Sequence, residues 1–206
     1  MGLRLTTAPT TLAIDLPTAK NWLRVEDAEE DGSITALIKI VTREVERRLD
    51  AQLINATWTL TLDSFSSESG QYNLDHYFLG DIILIPKWPL SSVTSIAYLD
   101  ADGDSQTHSA SLYDVDTANI PGRIKPAFGQ IWPTVRSDVL ETVTITLVAG
   151  YGASQASVPD DLQAAMLMLL THRYENREAV ITGTIASEMP MGVSDILDDY
   201  ALPLLF

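Results

Sequence analysis

The chain has 206 residues, 46% of them hydrophobic and 20% charged, which suits one globular domain or one domain carrying a large insertion. Its formal net charge of −15 excludes a general electrostatic attraction for nucleic acid, because that affinity rests on Lys and Arg neutralising phosphates. With no cysteine, disulfides, thiolate metal sites and cysteine nucleophiles are excluded as well.

The first dozen residues, rich in Thr, Ala and Pro, read as an arm or an edge strand. They lack the continuous apolar core of a signal peptide, so a cytoplasmic product is expected. Residues 15–24 form a short helix, with Asp15 as N-cap, Pro17 in the first turn and Trp22 and Leu23 as anchors. The acidic run 26–31 reads as a solvated connection. In the next helix Ser33 is the expected cap, and Ile34, Leu37, Ile38, Val41, Val45 and Leu49 recur at helical spacing as one apolar stripe. The opposite face carries Lys39, Arg43, Glu44, Glu46, Arg47 and Arg48, with Glu44 and Arg48 spaced as an i,i+4 pair. Arg43, Arg47 and Arg48 could form a DNA-facing patch, but the interleaved Glu44 and Glu46 favour a solvated or subunit-facing surface.

From residue 56 the period changes from 3.6 to 2. Residues 57–62 alternate Thr with Trp or Leu, the pattern of a strand with one buried face. A polar loop covers 63–72, and 81–85 is an apolar run closed by Pro86 and Pro89 that reads as a buried strand. Residues 92–99 and 112–116 flank the loop Asp100-Ala-Asp-Gly-Asp104 and predict a long hairpin. Further strands are expected at 122–125 and 142–148, the last ending in the turn 149–152.

Residues 158–178 then form the central helix. Pro159 is placed in its first turn, with Asp160 and Asp161 at the positive end of the helix dipole. From Leu162 to Leu170 only Gln163 is clearly polar, so this helix belongs in a core or between subunits. The run is too short to span a bilayer. Residues 188–193 read as an extended linker, and the chain finishes on Ile196, Leu197, Tyr200, Leu202, Leu204, Leu205 and Phe206. Such an apolar end docks either on its own core or on another subunit or partner.

Catalytic constellations are scarce. His76, His108 and His172 are far apart and stand in no metal-binding or catalytic spacing, and no phosphate loop or nucleophile elbow occurs. Asp100, Asp102 and Asp104 are the best metal candidates, since alternating aspartates offer the hard oxygens that calcium takes. The sixth and twelfth positions of that loop hold Ser105 and Ser111 rather than the Gly and Glu of a calcium-binding loop, and a hairpin turn at Asp102-Gly103 accounts for the same residues. No enzyme, cofactor or metal is expected. Two helices, a compact antiparallel β segment and a long helix argue for an α+β fold of three to four helices.

Several segments taken in order carry a resemblance. They are Trp22-Leu-Arg-Val25 before the Ile34 helix, Thr57-Trp58, Ile85-Pro86 with Pro89 to Ile96, and Tyr113 to Asp116. Pro121-Gly-Arg-Ile124, Trp132-Pro133, Ala149-Gly-Tyr-Gly152, and Val158-Pro159 with Tyr174-Glu-Asn-Arg177 complete the series. Over about residues 17–178 the chain resembles the head–tail connector (adaptor) proteins of long-tailed bacteriophages, prophages and gene-transfer particles. The resemblance implies a helical core interrupted by a β insertion, read as a connector domain over 1–180 with the core at 15–52 and 158–180 and the insertion at 56–150. The apolar end, which the resemblance does not cover, is read as a C-terminal docking tail at 181–206. The resemblance further implies a dodecameric ring of copies beneath a portal protein, extending a channel through which DNA passes without specific binding, and meeting the next neck or tail protein below. Such a protein is made in the host cytoplasm and ends in the particle neck, with no membrane partner. An acidic wall suits that conduit, and the apolar tail suits docking on the portal through Ile196, Leu197, Tyr200, Leu204, Leu205 and Phe206. The alternatives are another neck component, such as a stopper or tail-completion protein, and a calcium-dependent binding module using Asp100, Asp102 and Asp104.

Overall fold

The computed structural model describes residues 2–65, 78–176 and 191–201. Among them four α-helices and two antiparallel sheets make an α+β fold. The chain divides into a β unit, Met1–Ala8 with Asn55–Gly150, and a helical unit, Pro9–Ile54 with Tyr151–Phe206.

In the β unit, strands β1 (Gly2–Thr7), β2 (Ala56–Leu62), β5 (Leu90–Leu99), β6 (Ser105–His108) and β9 (Val143–Ala149) form one sheet in the order β1-β2-β9-β5-β6. Strands β3 (Phe78–Leu79), β4 (Ile82–Ile85), β7 (Tyr113–Asp116) and β8 (Gly122–Pro126) form the other, ordered β3-β4-β8-β7. The alternation of β9 sets the register. Val143, Ile145, Leu147 and Ala149 are all buried, while Thr144, Thr146 and Val148 on the other face are half-buried. Opposite them, Leu60 pairs with Ile145 and Leu62 with Val143, so both strands turn the same face inward. Ile83, Ile85 and Ile124 of the second sheet join that cluster, and the two inner faces share one core.

Two details of this unit depart from the sequence-based expectation. The long hairpin does not join 92–99 to 112–116. Instead β5 turns back into β6, with Leu99 opposite Ser105, and β7 pairs with β8 in the other sheet. The short strand Ser-Gln-Thr-His has one buried residue in four and carries almost no apolar signal beside the stronger pattern of 112–116. The 81–85 run, expected to be buried throughout, shows alternation, with Ile83 and Ile85 inside and Ile82 and Leu84 half-buried. Most of the expected 63–72 loop, and His76, lie outside the described residues.

In the helical unit, α1 (Leu16–Leu23) begins where Asp15 Oδ1 accepts from the Thr18 N–H at 2.7 Å. The next helix, α2 (Asp31–Leu49), starts two residues before the expected cap at Ser33 and has Glu30 at its N-cap position without a side-chain cap bond. The acidic run in front of it is held rather than freely solvated. Lys20 Nζ donates to the Asp27 carbonyl at 2.9 Å and to Asp31 Oδ1 at 2.5 Å, so the first turn forms around that cation. The stripe of Ile34, Ile38, Val41, Val45 and Leu49 is buried, and Leu37 at its edge is half-buried.

The central helix α3 (Asp160–Glu175) has Pro159 at its N-cap, one position outside the expected first turn. It packs against α1, α2 and α4 (Met191–Tyr200), which agrees with apolar residues around most of its circumference. The residues expected as the end of an extended linker, 191–193, are the first turn of α4. Glu44 pairs with Arg173 of α3 at 3.0 Å rather than with Arg48, which reaches Asp198 of α4 at 2.8 Å. A helix–helix contact supplies a nearer partner in each case than the intrahelical i,i+4 site.

Candidate interaction surfaces

Helix α4 carries three of the six residues singled out for docking. Leu197, like Val193, is fully buried within the helical unit, whereas Ile196 and Tyr200 are half-buried. The Tyr200 hydroxyl donates to both carboxylate oxygens of Asp161 at 2.9 Å. Partial burial, and then the neighbouring Asp161 carboxylate, push the Tyr200 phenol up to about 12. The remaining three, Leu204, Leu205 and Phe206, lie outside the described residues. The described part of the tail therefore packs on its own chain. Among the arginines, Arg48 is engaged by Asp198 and by Ser194 Oγ at 3.1 Å, while Arg43 and Arg47 are exposed.

The most fully exposed apolar side chains occur elsewhere, on the β unit. After β8 the chain runs without helix or strand to Thr142. This segment displays Phe128 at 104% exposure, Ile131 at 86% and Leu140 at 77%. It is nonetheless pinned at several points. The Ala127 N–H donates to the Leu112 carbonyl at 3.0 Å, and the Gln130 N–H closes a turn on the Ala127 carbonyl at 2.9 Å. Gly129 occupies the third turn position with φ 75°, a conformation that a residue without a Cβ adopts at little cost. Trp132 stacks on Phe65 with ring centroids 4.7 Å apart, and its Nε1 donates to the Asp81 carbonyl at 2.7 Å. Asp81 borders the β3–β4 turn, where Leu79 is also exposed. Phe128 therefore stands at the apex of a hydrogen-bonded turn, and Ile131 directly precedes an anchored tryptophan. Periodicity misses this surface because an irregular loop has no period; the readable signal was Phe-Gly-Gln-Ile beside Trp132-Pro133.

No catalytic arrangement emerges at the other singled-out positions. His108 is buried among Phe65, Tyr98, Tyr113 and Trp132, with the Tyr113 ring stacked 5.8 Å away. That burial lowers its pKa. His172 is half-buried near the C-terminal end of α3, where its carbonyl accepts from the Asn176 side chain at 2.9 Å. Asp100 is the keystone of the β5–β6 turn. Its Oδ1 accepts from the Asp102 and Asp104 N–H groups at 3.1 and 2.9 Å, and Oδ2 accepts from Gln106 Nε2 at 2.8 Å. These donors lower the Asp100 pKa, with Gln106 the largest cause. Among the described residues no group of three or more His, Asp or Glu is arranged to hold a metal ion. Among the same residues no helix is long and apolar enough to cross a membrane.

No family model matches the sequence, and the comparison with curated proteins finds no match. Solved structures do match over the whole length. A chain from the neck of an empty GTA particle computed with C6 symmetry is 24% identical, with a TM-score of 0.77 over 100% of this chain and 98% of that one. A chain from the virion of a native gene transfer agent (GTA) particle is 22% identical at a TM-score of 0.74, with the same coverage. A third, from the neck of a native GTA particle computed with C12 symmetry, is 24% identical at 0.67, again over 100% and 98%. At these identities the likeness is one of fold, and it includes both units of the chain.

Proposed function

We propose that this protein is a non-enzymatic neck component of a phage-like particle, an adaptor whose copies form a ring beneath the portal and join the DNA-filled head to the tail. The observation that carries the reading is the end-to-end likeness to chains of gene transfer agent necks, with 100% of this chain and 98% of the other aligned. Repetition in a ring is favoured by the C6 and C12 symmetry with which those necks were computed. The charge of −15 supports a DNA conduit, because a wall that repels phosphates lets the duplex slide without sticking.

Docking on the portal is assigned to the C-terminal segment, with Leu204, Leu205 and Phe206 as the apolar contacts and the half-buried Ile196 and Tyr200 at its root. Leu197 holds α4 on its own helical unit and joins such a contact only if α4 undocks. A truncation that tests this assignment ends after Ala201, leaving α4 in place, because removal of α4 itself would uncover the helical core. The shortened chain is expected to fold and to be absent from particles. Its normal incorporation would refute portal docking by the tail.

Electron microscopy of particles from producing cells lacking the gene tests the function itself. Heads, filled or leaking, beside unattached tails are the expected result. Intact tailed particles would refute the neck assignment.

A further inference from the structure

We infer that the outward face of α2, with Lys39, Arg43 and Arg47, is a docking surface for a second copy of this chain, which meets it through Asp195 and Asp199 of α4. The inference rests on the ring reading above and adds to it both halves of the contact between neighbouring copies.

The two faces match in sign and in spacing. The stripe from Ile34 to Leu49 turns α2 inward, and Lys39, Arg43 and Arg47 recur every fourth residue on the side turned away from it. All three are exposed, and among the described residues none takes part in an ion pair or hydrogen bond. The carboxylates within the helix are engaged elsewhere, Asp31 by Lys20, Glu44 by Arg173, and Glu46 by Gln52 and the Leu53 N–H. Asp50, the C-cap residue, adds one carboxylate at the end of the face, which stays positive against three cations. On α4 the relation is reversed. Val193 and Leu197 turn inward, while Asp195 and Asp199 are exposed one turn apart and hold no cation. The cation that reaches α4 from α2, Arg48, is taken by Asp198, and the nearby Asp161 by the Tyr200 hydroxyl.

Residues four apart rise about 6 Å along a helix, so Arg43 and Arg47 of one copy match Asp195 and Asp199 of the next when the two helices lie side by side. Copies with net charge −15 repel each other over most of their surfaces, which confines a contact to places where the signs differ. This chain carries both signs, at one spacing, on two different helices. A contact between unlike patches is the heterologous kind that closes a ring. Exposed ion pairs add little energy each, and their part here is to fix register and partner. DNA phosphates would answer the α2 stripe but not the α4 carboxylates, so a second copy is the occupant that satisfies both.

The test is a charge swap in the full chain, read as incorporation into particles from producing cells. Arg43→Glu with Arg47→Glu, and separately Asp195→Arg with Asp199→Arg, are each expected to lower incorporation at least ~10-fold, as like charges set face to face do. All four replacements together are expected to restore it. Melting temperatures should match the parent, because all four positions are exposed. Unchanged incorporation in either pair, or no rescue in the combination, would overturn the inference. Loss from the α2 pair alone would instead make that stripe a surface for another anion, DNA included. Because the chain has no cysteine, Arg43→Cys with Asp199→Cys gives a second readout. A short thiol crosslinker applied to particles should produce a ladder of multiples of this chain, and neither single replacement should. A product joined to a different protein, or monomer alone from the double variant, would refute the contact. The ring reading fails by a different result, namely particles that never contain the unaltered chain.

Discussion

Replacing Leu197 with Ala tests how α4 is held, and hence what its departure requires. Leu197 is fully buried, and the helix it anchors has ten residues, too few to persist in water unaided. A Leu→Ala change at a fully buried site costs about 2–5 kcal/mol from lost transfer free energy and the cavity left behind. Apart from the burial of Val193, the other attachments are weaker. The Arg48–Asp198 pair is half exposed and is worth ~0–1 kcal/mol, and the Tyr200–Asp161 hydrogen bond adds ~1.5–3 kcal/mol at most, as a bond to a charged group. Because α4 lies beyond α3, with contacts to α2 and α3 alone among the stronger packing pairs, the loss falls on local opening of α4 rather than on global unfolding. Even the lower figure corresponds to about a 30-fold shift in the opening equilibrium. Hydrogen exchange read by mass spectrometry should show that loss of protection over 191–200, with β9 unchanged. Asp195→Ala, at an exposed position of the same helix, should leave protection as it was. Unchanged protection of 191–200 in Leu197→Ala, or an equal loss in β9, would refute the reasoning.

Three further outcomes follow from the geometry. Gly150 has φ 139°, and a Cβ there would lie 2.5 Å from the Asn55 backbone nitrogen, so Gly150→Ala is expected to destabilise by ~2 kcal/mol or more, read from denaturant midpoints; an unchanged midpoint would contradict so close an approach of the two backbones. His108 has a folded-state pKa below 6.5, so the unfolded chain binds its proton first as pH falls. Stability should therefore be complete above about pH 6.5 and decline below it, and His108→Phe should flatten that part of the profile. Asp116 is held at about 2, first by Arg123, whose Nε donates to Oδ2 at 3.0 Å, and then by Asn119. Its stabilising effect should be present above the ordinary 3.8 and disappear as pH falls through about 2, and Arg123→Gln should raise the Asp116 titration midpoint observed by NMR.

Much of the fold was legible because periodicity is a local property. The stripe from Ile34 to Leu49 and the alternation from Val143 to Ala149 follow from the geometry of a single helix or strand, whatever lies opposite. Asp15 as a helix cap is legible for the same reason, since its bond to the Thr18 N–H spans three residues. Of the candidate surfaces, the sequence drew attention to the apolar tail but not to Phe128 and Ile131. An apolar residue in a loop is as compatible with burial under that loop as with display on it.

What the amino-acid sequence determined by itself was helices α1 to α3 and the strongly patterned strands, the α+β class, the acidic character and the absence of cysteine chemistry; β6 and α4 leave no clear signal in it. Tertiary structure alone decided which partners those elements take. β5 joins β6 rather than β7, Glu44 reaches Arg173 and Arg48 reaches Asp198. Leu197 turns into the helical unit, and Phe128 turns out to water. The physical reason is that several pairings of the same strands and helices would bury similar apolar area. The choice among them is made by contacts between residues far apart in the chain, such as the 129 positions separating Glu44 from Arg173.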